Sequence, residues 1–423
     1  MQRRRIMVER LKRGDIVLTA PADPENVRMR ERSGEEVSHA MICVGAGSFI
    51  DSTADNVHAY NIQRELFGPD DQVFVLRLRS PIEAASLDLV TDFVRSKIGT
   101  RYSAIEAGRS LRGSGGPRNN REYCSRLIAR AFAAGGISLV SDPDYCTPQE
   151  LLDSPLLEPL SDMLELVSPE ELAARAARPN PVAGMQDCTD AVLEEARTLA
   201  PQIETLSDVL ELLVIQPEHD ARIAKVFRDS GYLDMWRYDL KANPWHYNLD
   251  VLEAITTPDN AASTRQMRCR LLEDTYSCAW RFVSGLRDHR LLAATFDLES
   301  FHQLADLYAT LVENDETRRH VTIGWLDRHF QSDVADHLER IEPHSERWFQ
   351  FVEVVAPEFA QIARARIDEA GSDVVCSACG ANVIKDYRQA KGSKIMPGVP
   401  SLRLCESCAT RIQSAGLALA PWN

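Results

Sequence analysis

Two kinds of cysteine setting stand out among the ten cysteines of this chain. Cys124 directly precedes the segment 125–134, whose Leu127, Ile128, Ala131 and Phe132 recur at helical spacing and which Gly135-Gly136 would stop. A thiol at a helix N-terminus faces the positive end of the helix dipole, which favours the thiolate, the form that attacks a carbonyl carbon. Such chemistry also needs a base to take and return a proton, and a polar group to hold that base. His39 is the first histidine of the chain and lies in a predicted strand, 38–44; Asp51 lies in the next, 48–51. Each stands six residues from Gly45, the centre of the intervening turn. An antiparallel hairpin centred there places them opposite one another on the same face. His58 is a rival base.

The second setting is Cys376-Ser377-Ala378-Cys379 and Cys405-Glu406-Ser407-Cys408, two C-x2-C pairs with 25 residues between them. Four thiolates in this layout suit tetrahedral Zn(II). With every ligand position filled by cysteine, no position is left for a reacting water, so the zinc is expected to be structural and the short block around it to need the metal to fold. The insert carries Lys385, Arg388, Lys391 and Lys394 with Tyr387, read as a solvated loop rather than a nucleic-acid surface. Cys43 reads as core; Cys146, Cys188, Cys269 and Cys278 show no partner pattern.

These residues need elements to position them. At 423 residues and 44% hydrophobic composition, the chain has material for two or three globular domains. Its formal charge of -15 is uneven: residues 1–150 carry 21 basic and 20 acidic side chains, 151–370 carry 21 and 40, and 371–423 carry 6 and 3. The expected map is an α+β domain over 1–175, an all-helical acidic domain over 186–370, and a zinc-binding module, ribbon-like, over 371–423, with a linker near 176–184. In the first domain, strands are predicted at 13–20, 38–44, 48–51 and 72–78, a polar loop over Pro21–Glu36, a helix opened by Pro81 and a second starting near Cys124. The histidines of the middle block show no ligand spacing such as H-E-x-x-H. No apolar run reaches the roughly 18 residues of a membrane span, and Arg3-Arg4-Arg5 is followed by no apolar h-region, so a cytoplasmic protein is expected.

Taken together, Arg13-Gly14-Asp15-Ile16-Val17, Ser38-His39-Ala40, Phe49-Ile50-Asp51-Ser52, Gly99-Thr100-Arg101-Tyr102, Tyr123-Cys124-Ser125-Arg126-Leu127 and Thr147-Pro148-Gln149-Glu150-Leu151 resemble motifs of the permuted NlpC-type papain-like cysteine hydrolases, the YiiX-like group. The cysteine follows the histidine, which is the permuted order. The resemblance covers about residues 10–165. It implies a small antiparallel sheet packed on the cysteine helix, with Cys124 as nucleophile, His39 as base, Asp51 as the orienting acid and Tyr102 beside the oxyanion. This chain departs from the pattern in having Asp rather than Glu as the third residue and Arg126 where an acid usually follows Cys-Ser, a change expected to bear on substrate choice.

The function expected on this footing is cleavage of a peptide, isopeptide or related acyl-amide bond through an acyl-thioenzyme. Two alternatives use the same residues differently: a thioesterase, lipid acyl hydrolase or acyltransferase, and an inactive adaptor that binds through its helical and zinc modules. A protein partner at the helical domain is expected; nucleic acid is not, given the acidic balance.

Overall fold

The computed structural model describes residues 2–45, 47–110, 121–177, 180–273, 281–330, 341–389, 401–414 and 419–422. Cys278, Lys391 and Lys394 lie outside them. The chain is mixed α and β, with a small antiparallel sheet, many helices and a C-terminal four-cysteine cluster. It divides into two compact units, Met1–Ala242 and Asn243–Asn423.

In the first unit, strands β1 (Arg3–Ile6), β2 (Ile16–Ala20), β3 (His39–Gly45), β4 (Ser48–Thr53), β5 (Asn56–Asn61), β6 (Gln72–Leu78), β7 (Leu157–Pro159) and β8 (Leu164–Val167) build two antiparallel sheets. Six strands lie in the order β5-β4-β3-β2-β6-β7, and β1 pairs with β8. Central β2 is buried along its whole length, which suits its unbroken Ile-Val-Leu-Thr-Ala run. Alternation along β3 sends Ala40, Ile42 and Val44 to one apolar cluster and Met41 and Cys43 to another. Helix α2 (Ala84–Ser96) and the cysteine helix α4 (Cys124–Ala134) cover the first cluster through Val90, Val94, Leu127, Ile128 and Phe132. Gly135 lets the two helices meet: a Cβ there would lie 2.6 Å from Val90 Cγ2 and 2.7 Å from the Ser86 carbonyl.

Several local expectations differ from the structure. The segment read as the polar loop Pro21–Glu36 contains α1 (Pro24–Ser33), with Asp23 accepting from the Glu25 and Asn26 amides, Pro24 in the first turn and Gly34 at φ 75° closing it. Pro81 does not open α2, which starts at Ala84 after the cap position Glu83. The expected linker near 176–184 holds the start of α7 (Pro181–Leu199).

The unit boundary also differs from the charge-based map. After α3 (Ala104–Ser110), α5 (Pro148–Leu152) and α6 (Pro169–Ala176), helices α7, α8 (Leu206–Ile215), α9 (Asp220–Asp229) and α10 (Trp236–Ala242) belong with the sheets. The physical reason is specific packing. Arg101 reaches Glu204 with Nη2 to Oε1 at 2.6 Å and its own amide to Oε2 at 2.9 Å. Arg197 Nη2 donates to the Gly99 carbonyl at 2.8 Å. Gly99 has φ 89°, and a Cβ there would stand 2.2 Å from Cδ1 of fully buried Leu193. Gly99→Ala therefore combines left-handed backbone strain with overpacking, and is expected to destabilise this unit by about 2–4 kcal/mol, read as a lower urea midpoint at unchanged slope.

In the second unit, long helices such as Arg281–Phe296 and Glu299–His329 precede the helices Glu346–Val355 and Pro357–Ala370. A three-stranded sheet in the order β10-β9-β11 follows, from β9 (Lys385–Gln389), β10 (Leu402–Leu404) and β11 (Leu419–Pro421). The block expected as a separate zinc module shares one core with those helices: Trp348, Phe349 and Val352 pack with Cys376, Leu402, Leu404 and Cys408. Trp348 Nε1 donates to the Ser401 carbonyl at 2.7 Å. Among the described residues no helix is long and apolar enough to cross a membrane.

Candidate active site and metal centre

Cys124 is the first residue of α4 and is buried at 8% exposure, so the sulfur sits where backbone N–H groups have no intrahelical acceptor. The preceding residues are held on both sides. Ser103 N donates to the Glu122 carbonyl at 2.9 Å, and Tyr102 forms a parallel bridge with Glu122. Tyr123 Oη donates to the Asp144 carbonyl at 2.9 Å, and Ser125 Oγ to the Cys146 carbonyl at 2.8 Å. The Tyr-Cys-Ser motif thus buttresses the first turn of the helix.

His39 opens β3, and its Nε2 lies 2.7 Å from Asp51 Oδ2 on β4. The register differs from the one expected. Met41, not His39, stands opposite Asp51: the hairpin closes at the Gly45–Ser48 pair rather than around Gly45, and a bulge between Cys43 and Gly45 takes back one residue of that shift. The offset is two residues, so the side-chain period of two keeps both residues on one face, as diagonal neighbours. With Nε2 taken by Asp51, the Cys124 thiol is the other group that acts on the ring. Burial works against the charged ring, but the hydrogen bonds to Asp51 and Cys124 and the negative charge at both outweigh it and raise the His39 pKa to about 10. At neutral pH the ring is therefore an imidazolium.

This ring has a consequence for stability. Its folded pKa lies above the ordinary 6.5, so folding favours the protonated form. The stabilisation is fully present below about pH 6.5 and is lost as pH rises through about 10. The melting temperature of the wild-type chain is expected to fall more steeply between pH 7 and 10 than that of His39→Gln. Parallel curves would refute the ion pair.

Tyr102 is half-buried next to this arrangement; burial, then the charge at Cys124, push its hydroxyl up to about 12, so it stays protonated and able to donate. The rival base His58 stands opposite Asp51 in the β4–β5 register, but its Nε2 lies 3.5 Å from Asp190 Oδ2 on α7. His39, not His58, holds the contact to Asp51.

Arg126, expected to bear on substrate choice, is instead wholly buried, with Nη1 2.5 Å from Glu106 Oε2 on α3. A side chain with no exposed surface does not meet substrate directly. Other resemblance motifs are structural as well. Asp15 receives Arg77 through Nε and Nη2, both at 2.7 Å, and Thr147 and Glu150 form a capping box that starts α5. The Glu106 partner was beyond reach of sequence reasoning, since nothing in local spacing relates residues 20 positions apart across a non-periodic segment.

The metal-ligand candidates come together. The sulfurs of Cys376, Cys379, Cys405 and Cys408 lie within 4.8 Å of one another, and Cys379 Sγ is 3.6 Å from Cys405 Sγ. Tetrahedral Zn–S bonds of about 2.3 Å place sulfurs about 3.8 Å apart, so the donor set fits zinc, whereas a disulfide would require about 2.05 Å. Gly380, at φ 77°, returns its amide to the Cys376 carbonyl at 2.9 Å and closes the first knuckle. All four donors being sulfur, the metal these residues would hold supplies cross-linking.

No protein-family model matches this chain, and no curated protein matches it.

Proposed function

We propose that this chain is a cysteine-dependent hydrolase of the permuted papain-like kind, cleaving an amide bond of a peptide, isopeptide or related substrate. The observation that carries the reading is the single imidazole of His39, held by Asp51 at 2.7 Å, with the Cys124 thiol at the start of α4 near enough to help raise its pKa. In the proposed reaction, Cys124 Sγ attacks the carbonyl carbon. The oxyanion is met by the Cys124 amide at the helix N-terminus and by the Tyr102 hydroxyl. The His39 imidazolium gives its Nδ1 proton to the leaving nitrogen as the C–N bond breaks, leaving a thioester. Water, deprotonated by the now neutral Nδ1, attacks that thioester; the C–S bond breaks, the acid leaves and the ion pair is restored. Asp51 keeps the ring oriented and stabilises its charge throughout.

The test is a comparison of wild type with Cys124→Ala on a panel of peptide, isopeptide, ester and N-acyl substrates. Cys124-dependent turnover of amides supports this reading. Turnover of esters alone reassigns the site to ester or thioester chemistry, and the absence of Cys124-dependent turnover across the panel leaves a binding protein.

A further inference from the structure

The proposed nucleophile and the proposed oxyanion donor sit on different pieces of chain. Cys124 begins α4; Tyr102 lies just before α3. One contact ties those two helices together by charge. Arg126, on the first turn of α4, meets Glu106, on the first turn of α3, at 2.5 Å, and the two side chains are 0% and 1% exposed. The guanidinium is held further. It lies 5.6 Å from the ring centroids of both Tyr123 and Tyr145, and Nη1 also reaches the Arg121 carbonyl at 3.3 Å. Among the described residues Nε and Nη2 are buried without hydrogen-bond partners, so the cation is stabilised by Glu106, the Arg121 carbonyl, the charge of Glu122 and the aromatic faces. A buried pair with this geometry tolerates little displacement, because each ångström of separation leaves a desolvated charge less compensated.

We propose that Arg126, through Glu106, is a positioning residue that fixes Tyr102 against Cys124 and so sets the alignment of the oxyanion site with the nucleophile. The inference rests on the cysteine-hydrolase reading and deepens it. It gives a buried function to the position where the resemblance led to an expectation of substrate contact. Arg126 touches no substrate; it acts through α3. The alignment matters most when charge develops on the carbonyl oxygen, and a misplacement of about 1 Å there costs about 100-fold in rate.

Two reactions of the same sulfur separate this role from a merely structural one. Alkylation of Cys124 by iodoacetamide needs the thiolate but no oxyanion donor. Acylation by p-nitrophenyl acetate, read as the burst of p-nitrophenolate above the Cys124→Ala background, needs both. The full chain is compared with Arg126→Lys, which keeps the charge but loses the planar fork, and with the double variant Arg126→Met/Glu106→Leu, which removes both charges and keeps the site filled. In folded variants, alkylation is expected to stay within about threefold of wild type with an unchanged pH profile, while acylation falls about 10- to 100-fold. Adding Tyr102→Phe to Arg126→Lys is expected to cost nothing beyond Tyr102→Phe alone, since both changes remove the same alignment. Acylation and alkylation falling together, acylation unchanged in the folded variants, or additive losses with Tyr102→Phe would overturn the positioning role. A wild-type Cys124 that neither alkylates nor acylates overturns the hydrolase reading itself, and the positioning role with it.

Discussion

Cys124→Ala is expected to remove acyl transfer by at least about 10³-fold while leaving the melting temperature within a few degrees of wild type. The two halves of this expectation have different causes. The sulfur is the only protein heavy atom in the proposed reaction that bonds covalently to substrate, so without it no thioester forms and His39 and Asp51 act on nothing. The side chain is small and stands at the end of α4 rather than in its middle, so losing one sulfur disturbs little of the cluster built by Leu127, Ile128 and Phe132. Cys124→Ala should also be harsher than Asp51→Asn. The latter leaves the nucleophile and the ring in place and removes only the charge that orients and stabilises the imidazolium. Rate measurements beside thermal unfolding check both claims. A variant that keeps more than about a tenth of wild-type turnover would show that another group carries the chemistry.

The second large effect concerns the metal centre. Replacing Cys376 with Ser, or stripping zinc with a strong chelator, is expected to unfold the C-terminal block together with the helices packed on it. Structural zinc in isolated zinc-finger peptides contributes on the order of 10 kcal/mol of apparent folding free energy at neutral pH. In this chain Cys376 and Cys408 lie within the core that holds Trp348, Phe349 and Val352, so the loss should spread into Glu346–Val355. Hydrogen exchange on the chelated protein checks this: amides of that helix and of β10 should lose protection together. Retained protection in the helix after complete zinc removal would mean that the apolar core suffices without the metal. In the first unit, the Cys124–His39–Asp51 arrangement contains no residue of the zinc centre, so Cys376→Ser also provides a control for cysteine loss as such.

How much of this could be read from residues alone depended on the range of the forces involved. The cysteine helix was legible because its apolar face repeats at helical spacing and Gly135 ends it. The four-cysteine cluster was legible because two C-x2-C pairs are a local pattern with one dominant chemistry, and the four sulfurs do converge. The pairing of His39 with Asp51 was anticipated on the right face but in the wrong register. The hairpin closes at the Gly45–Ser48 pair and a bulge between Cys43 and Gly45 changes the register by one, which together leave the ladder two residues from the expected one, a detail set by turn geometry rather than by hydrophobic alternation. Helix α1 carried its signals openly in Asp23, Pro24 and Gly34, but its charged sequence, Arg28 to Arg32 included, masked them as loop. The division of the chain was not legible from charge. Acidity changes near residue 150, whereas the contacts that join α7 and α8 to the sheet unit are Leu193 against Gly99 and Glu204 around Arg101. Glu204 and Arg101 are 103 residues apart in sequence, so only the folded chain reveals their pairing. Glu106 and Arg126 follow the same logic at the candidate site.

The central claim is that one thiol, paired with His39, is the nucleophile. The most direct measurement is peptide mapping of the zinc-loaded chain after limited reaction with iodoacetamide at pH 7, for wild type and His39→Gln. The account predicts one dominant adduct, at Cys124, formed markedly faster in wild type than in the variant, while burial pushes the Cys146 and Cys188 thiols up and away from the reactive thiolate at pH 7. Preferential modification of another thiol while Cys124 stays unmodified, or a Cys124 rate indifferent to the loss of His39, would contradict it.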